Sequence, residues 1–233
     1  MSRISILLLL TFFSSLLPAQ DTLNVTDSRG HRQGNWCKAD SAGRVVYTGR
    51  FKDGVPVGEF RYYYPDGKLK TLSVVSNDGK KAVTLSYFPD GRKMAAGNYL
   101  NEKKDSTWQF FSESSGTLVS EETYVAGVIE GASRVYFQEG GLSELQMYKN
   151  GIRDGVWEQY YLDGKLKLHG AFKGGEKQGA FKTFYSSGKQ MTEGQYNKGH
   201  QEGTWTYYTE KGAVSRKEFY DHGKLLKVDP PAK

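Results

Sequence analysis

The side chains in this sequence with most to offer a ligand are its rings: 16 tyrosines, 12 phenylalanines and 4 tryptophans. Ring faces stack on sugars and cage quaternary ammonium groups, so the spacing of the rings decides what they can hold. Trp36, Phe60, Trp108, Trp157, Phe181 and Trp205 fall in one column of a 24-residue period, with Thr84 and Ser133 in the two gaps, and every tryptophan is in it. Tyr63, Tyr87, Tyr136, Tyr160, Phe184 and Tyr208 form a second column. Those six are the candidate partner-binding residues.

Other chemistry is poorly supplied. The pattern Gly151-Ile-Arg-Asp-Gly155 recurs along the chain, but it lacks the Lys-Ser/Thr and the helix of a phosphate loop, and the apolar twenty-residue context of a membrane-helix dimer motif. His31, His169, His200 and His222 have no His or Cys at metal-ligand spacing. His200 and His222 fall in adjacent turns and read as solvated turn residues. Asp66, Asp90 and Asp163 precede glycines, where aspartate bonds its own backbone. The single Cys37 can form no internal disulfide and has no catalytic partner. No catalytic set, metal centre or cofactor site is expected, and the chain reads as a non-enzyme.

The elements that position the rings are spelled by glycine. Gly34, Gly58, Gly131, Gly155, Gly179 and Gly203 open rows of 24 residues, with Ala82 and Ser106 in the two middle rows. A second glycine follows nine or ten residues later in every row, from Gly43 to Gly212. The runs between them are rich in Tyr, Phe, Trp, Val and Leu, which predicts two antiparallel strands per row. The Asp-Gly pairs predict two-residue type I′ turns. The row-opening glycines predict the structural turns of the longer Gly-x-x-x-Gly connections. The fold class is therefore all-β: an elongated antiparallel meander of about eight hairpin repeats in a single twisted sheet, with about 16 strands over about 75 Å.

Folding each hairpin about its turn puts Trp157 opposite Gly170, Trp36 opposite Gly49 and Phe181 opposite Gly194, an arrangement in which a ring covers a residue without a side chain. The same construction sets Tyr148 opposite Trp157 and Phe172 opposite Phe181. Trp157, Phe172, Phe181, Tyr196, Trp205 and Tyr220 then form one apolar stripe. The other face carries Arg61, Gln109, Arg134, Glu158, Lys182 and Thr206 beside the second aromatic column. Leu23 to Ser28 predicts a capping strand. Rows three and four, the least regular, predict a bend or the start of a second lobe of the sheet.

Only 37% of the residues are hydrophobic, too few for a thick core in a chain of 233. Residues 1–20, MSRISILLLLTFFSSLLPAQ, have the charge, apolar run and small-residue end of a signal peptide cleaved near Ala19 or Gln20. The run is shorter than a spanning helix. The domain expectation is a leader at 1–20, repeats over 21–228 and a disordered tail at 229–233, exported to the periplasm or outside the cell. The net charge of +6 is scattered, which argues against nucleic acid.

Gly170-Ala171-Phe172-Lys173-Gly174-Gly175-Glu176-Lys177-Gln178-Gly179 and Gly194-Gln195-Tyr196-Asn197-Lys198-Gly199-His200-Gln201-Glu202-Gly203 resemble MORN repeats, whose pattern runs Gly-x-Trp/Tyr, Asn-Gly, His-Gly. The resemblance spans residues 30 to 226 and is closest to the bacterial variant form of the YwqK-type antitoxin family. It implies an elongated hairpin sheet that binds protein or lipid without catalysis by the repeats. The leading expectation is an exported scaffold for a protein partner. The alternatives are a carbohydrate or cell-wall module and an immunity-type protein. Contact with a membrane surface is a further option, and the oligomeric state is open.

Overall fold

The computed structural model describes residues 22–230; the expected leader and the last three residues lie outside them. The described residues contain strands and no helix. In chain order the strands are β1 Val25–Thr26, β2 Arg32–Ala39, β3 Val45–Lys52, β4 Val55–Tyr63, β5 Leu69–Val75, β6 Lys81–Tyr87, β7 Lys93–Leu100, β8 Lys103–Phe111 and β9 Leu118–Val125. There follow β10 Val128–Tyr136, β11 Leu142–Lys149, β12 Ile152–Tyr160, β13 Leu166–Lys173, β14 Glu176–Lys177 and β15 Gly179–Phe184. The last are β16 Gln190–Asn197, β17 His200–Tyr208, β18 Val214–Asp221 and β19 Lys224–Asp229.

All 19 lie in one sheet. It is an antiparallel meander of hairpins, as the glycine spacing predicts. The count exceeds 16 because β1 caps the start, β19 begins one more row, and Gln178 splits one strand position into β14 and β15, both paired with β13. Asp229, assigned by the sequence to the tail, ends β19 opposite Lys217. At the first edge the Asn24 side chain imitates a further ladder rung: its Oδ1 accepts from the Cys37 N–H at 2.8 Å and its Nδ2 donates to the Cys37 carbonyl at 3.0 Å. At the last edge Lys224, Lys227 and Pro230 supply the charge and missing N–H that discourage further strand addition.

The two kinds of turn are the reverse of the sequence prediction. The two-residue type I′ turns sit at the first glycine of every Gly-x-x-x-Gly after the one at Gly30, as where Lys52 pairs with Val55 around Asp53 (φ 51°) and Gly54 (φ 81°). A type I′ turn needs positive φ at both central residues. At the Asp-Gly sites only the glycine has it. There Gly67 N–H donates to the Tyr64 carbonyl and Tyr64 N–H to the Lys68 carbonyl, a type I turn closed by a left-handed glycine. Asp66 serves by accepting the Lys68 N–H at 3.1 Å, and that bond is the first cause holding its carboxyl below the usual range.

The row-opening glycines are likewise displaced from the turns. Gly34, Gly58, Gly131, Gly155, Gly179 and Gly203 lie within or at the start of strands. They occupy bulges. On β3 and β4 the pairing moves from Arg50–Val57 to Thr48–Arg61, so three residues from Gly58 stand against Gly49. Gly58 takes φ 71° to turn the extra residues. The bulge shifts the register by two, which preserves the faces but moves the partners. Gln146, not Tyr148, lies opposite Trp157, and Phe172 faces Lys177 rather than Phe181.

The two rows without a glycine resolve this differently. Ala82 has no bulge, and β5 and β6 pair without a break from Thr71–Ser86 to Val75–Ala82. Ser106 keeps the bulge and takes φ 60° itself. A left-handed non-glycine residue costs about 1–2 kcal/mol. Ser106→Gly is therefore expected to raise stability by about 0.5–1 kcal/mol after the added chain entropy is subtracted, read as a higher urea midpoint; a lower midpoint contradicts the strain. Each strand of the middle rows stays paired with its neighbours, so the sheet is not divided into two lobes there.

Candidate binding faces of the sheet

One face carries a stripe of rings, broken at Thr84 and Ser133. Trp157 lies 5.4 Å from Phe172 and 6.3 Å from Phe181, and Trp205 lies 5.1 Å from Tyr196 and 6.3 Å from Tyr220, measured between ring centres. Trp36, Phe51 and Phe60 repeat the pattern at the other end. Because of the bulges, the ring over each glycine comes from the following strand: Phe60 over Gly49, Trp108 over Gly97, Phe181 over Gly170 and Trp205 over Gly194. Phe60, Trp108 and Trp205 are each only 3% exposed, a burial that a single-layer sheet reaches through these cross-strand contacts.

Cations close the stripe from above, a feature absent from the sequence reading. The Lys104 Nζ sits 4.7 Å from the rings of Trp108 and Phe110 and 4.8 Å from Tyr124. The Lys177 Nζ lies 5.4, 5.8 and 4.9 Å from Trp157, Phe181 and Tyr196. The Arg32 guanidinium lies 5.0 Å from both Trp36 and Phe51, and Arg153 lies over Phe172. The aliphatic stems cover apolar surface while the charge rests on the ring faces. An aromatic cage for a foreign quaternary ammonium group is thus already occupied by the chain's own lysine. For Arg32, Arg153 and Lys177 the signal was available in the sequence as a basic residue two positions after the turn glycine.

The opposite face holds Tyr63, Tyr87, Tyr136, Tyr160, Phe184 and Tyr208, all half-buried. Among the described residues none of the six packs on another ring. Three phenols are committed to carboxylates instead: Tyr136 donates to Glu121 at 2.7 Å, Tyr160 to Glu158 and Tyr208 to Glu193. Glu121 also accepts from Gln109 at 2.8 Å, which with Tyr136 holds its pKa down, and the Glu158 bond followed by burial pushes Tyr160 up to about 12. Tyr63 reaches Thr48 at 3.5 Å. Four of the six phenol or ring positions, Tyr63, Tyr136, Tyr160 and Tyr208, are thus tied to neighbouring side chains. The carbonyls of Tyr87, Phe184 and Tyr208 accept from Tyr64, Tyr161 and Tyr185 at 2.7, 2.7 and 2.8 Å, a latch repeated between neighbouring hairpins.

The remaining candidates are quiet. Among the described residues one group could present three ligand atoms to a metal, Glu202, Asp221 and His222, within 4.8 Å of one another. The His222 Nδ1 pairs with Asp221 at 2.6 Å, and that partner raises its pKa, so the group is an exposed ion-pair cluster at a turn. Cys37 is a free, half-buried thiol. Among the described residues no helix is long and apolar enough to cross a membrane.

These features define a class: a single-layer repeat sheet held by ring-on-glycine contacts. The MORN repeat variant family model matches residues 56–77 and 153–173, two stretches in the same phase of the repeat that each run from a bulge through a hairpin. Repeats of this kind are generally non-catalytic and suggest a scaffold, often for protein or membrane interaction. No curated protein matches the sequence. The chain is similar to a solved structure titled "Crystal Structure of TcdB2-TccC3-Cdc42" at 10% identity and a TM-score of 0.21, over 84% of this chain and 14% of that one. The chain therefore spans a small part of that structure's length, and a likeness so low carries no argument.

Proposed function

We propose that this protein is an exported, non-enzymatic MORN-type scaffold whose sheet binds a partner protein in the cell envelope or outside the cell. The leader-like residues 1–20 support export. The observation that carries partner binding is an apolar patch on the otherwise polar face of β5 and β6. Val74 and Val83 stand directly opposite each other there, 52% and 61% exposed, with Leu72 and Leu85 paired beside them. At the equivalent positions one repeat away are Arg50 and Glu59 on one side and Asn98 and Thr107 on the other. The patch is edged by Glu59 and Arg61, themselves paired at 2.6 Å, which gives it an apolar centre and a polar rim. The unbulged β5–β6 ladder is what brings the two valines face to face.

Val74→Arg with Val83→Glu is expected to leave the melting curve within about 0.5 kcal/mol of wild type, as exposed substitutions do. It is also expected to eliminate co-purification of the partner from envelope and secreted fractions, read by quantitative mass spectrometry. The same partner recovered equally with both proteins would sink this reading.

A further inference from the structure

The ring stripe is interrupted on the other side of the same two strands. Where neighbouring repeats place a glycine under a ring, β5 and β6 carry Ser73 and Thr84. The missing ring leaves a trough of about 510 Å³ between the aromatic walls of Phe60 and Tyr62 on β4 and Tyr99 on β7. Those strands are three spacings apart, about 14 Å, and the volume falls in the range of small-ligand sites. The interruption around Ser133 is different, because Gln146 fills it and is only 3% exposed.

The floor is made of hydroxyls in facing pairs. The oxygens of Ser73 and Thr84 lie 2.9 Å apart, and those of Thr71 and Ser86 lie 3.2 Å apart. One proton satisfies each pair, so each retains one O–H to donate to a ligand. Of the charged residues that line it, Lys70 rests its Nζ 5.6 Å from the Tyr64 ring, and Lys80 and Glu102 carry opposite charges, which gives no strong preference for an anion. A partner's aromatic side chain would fit the width but would cover the two spare O–H groups without accepting from them, which is unfavourable. A pyranose ring satisfies both demands. Its C–H face lies on a ring, and its hydroxyls and ring oxygen accept from the floor.

We propose that the trough between Phe60, Tyr62 and Tyr99 binds a pyranose unit of an oligosaccharide whose ring substituents are equatorial, which leaves flat C–H faces for stacking. The full-length mature protein, with cellotetraose and chitotetraose as probes, tests this by saturation-transfer NMR and calorimetry. At least one sugar is expected to bind. Ser73→Gly with Thr84→Phe, which installs the ring the other repeats carry, is expected to abolish that binding while the protein stays folded. Tyr62→Ala, which removes a wall ring already 39% exposed, is expected to weaken it about tenfold, or about 1.4 kcal/mol. Val74→Arg, on the opposite face, should bind sugar as wild type does, so loss of the protein partner and loss of the sugar are read separately. Absence of binding by both sugars, or binding unchanged after the trough is filled, overturns the assignment. Saturation of the trough by N-acetyltryptophanamide but by neither sugar also overturns it and assigns the site to a protein side chain.

Discussion

Replacing Gly97 by alanine is expected to lower the unfolding free energy by about 2–3 kcal/mol, whereas the same change at Gly170 costs less than about 1 kcal/mol. Both glycines lie in mid-strand under a ring from the next hairpin. A Cβ at Gly97 would stand 2.2 Å from the Trp108 ring, and the three nearest atoms all belong to its indole. That indole has little room to yield. It is 3% exposed, its Nε1 donates to the Asn98 carbonyl at 2.9 Å, and Lys104 rests on its outer face. At Gly170 the nearest atom is the Phe181 ring at 3.1 Å, which clears with a small tilt because Phe181 is half-buried. Alanine also regains part of its cost through the lower entropy of the unfolded chain. Urea denaturation of the two variants decides the matter. Equal losses, or a gain at Gly97, would show that the indole does not rest on the glycine.

That contrast separates what the residues spell out from what they conceal. Glycines and rings at fixed intervals encode strand length and alternation, so the meander and the membership of the ring stripe follow from the sequence. The bulges do not, because a glycine with positive φ serves a turn and a bulge equally well. Gly155 and Gly151 are written alike, yet only Gly151 reverses the chain. The error is a shift of two, and the period of a strand is also two, so the predicted faces survive, as do the pairings of Trp157 with Gly170 and Phe181 with Gly194, while those of Trp157 with Tyr148 and Phe181 with Phe172 do not.

The candidate site was less legible. The second aromatic column is where the spacing puts it, but Tyr136, Tyr160 and Tyr208 look free in the sequence because their glutamates come from another strand or from two residues back. Lys104 and Lys177 read as solvated charges and instead lie across three rings each. Ser73 and Thr84 read as decay of the repeat. In space the same two substitutions open a trough on one face, and the Ala82 that removes the bulge sets Val74 against Val83 on the other. The least regular hairpin thus carries both unfilled surfaces. An irregular copy inside a repeat is the place where packing no longer dictates the residue.

Trp205→Ala is expected to be the most damaging single change near the C-terminal end, at about 3–5 kcal/mol, and to act locally. Trp205 is 3% exposed and touches Phe181 at 5.6 Å, Tyr196 at 5.1 Å and Tyr220 at 6.3 Å, so it links β15, β16, β17 and β18. Among the described residues its Nε1 has no hydrogen-bond partner, so the loss is one of packing. In a meander each strand leans only on its neighbours, and stability is close to a sum of local terms and interfaces. Removing one central ring near the end should therefore detach β17, β18 and β19 before the rest opens. Hydrogen exchange reads this directly: amides of residues 200–229 are expected to lose about a hundredfold or more in protection, since each 1.4 kcal/mol is a factor of ten. Amides of β2 to β8 should keep wild-type protection. A uniform loss along the whole chain would mean that the sheet unfolds as one unit, and the nearest-neighbour account of its stability would have to be abandoned.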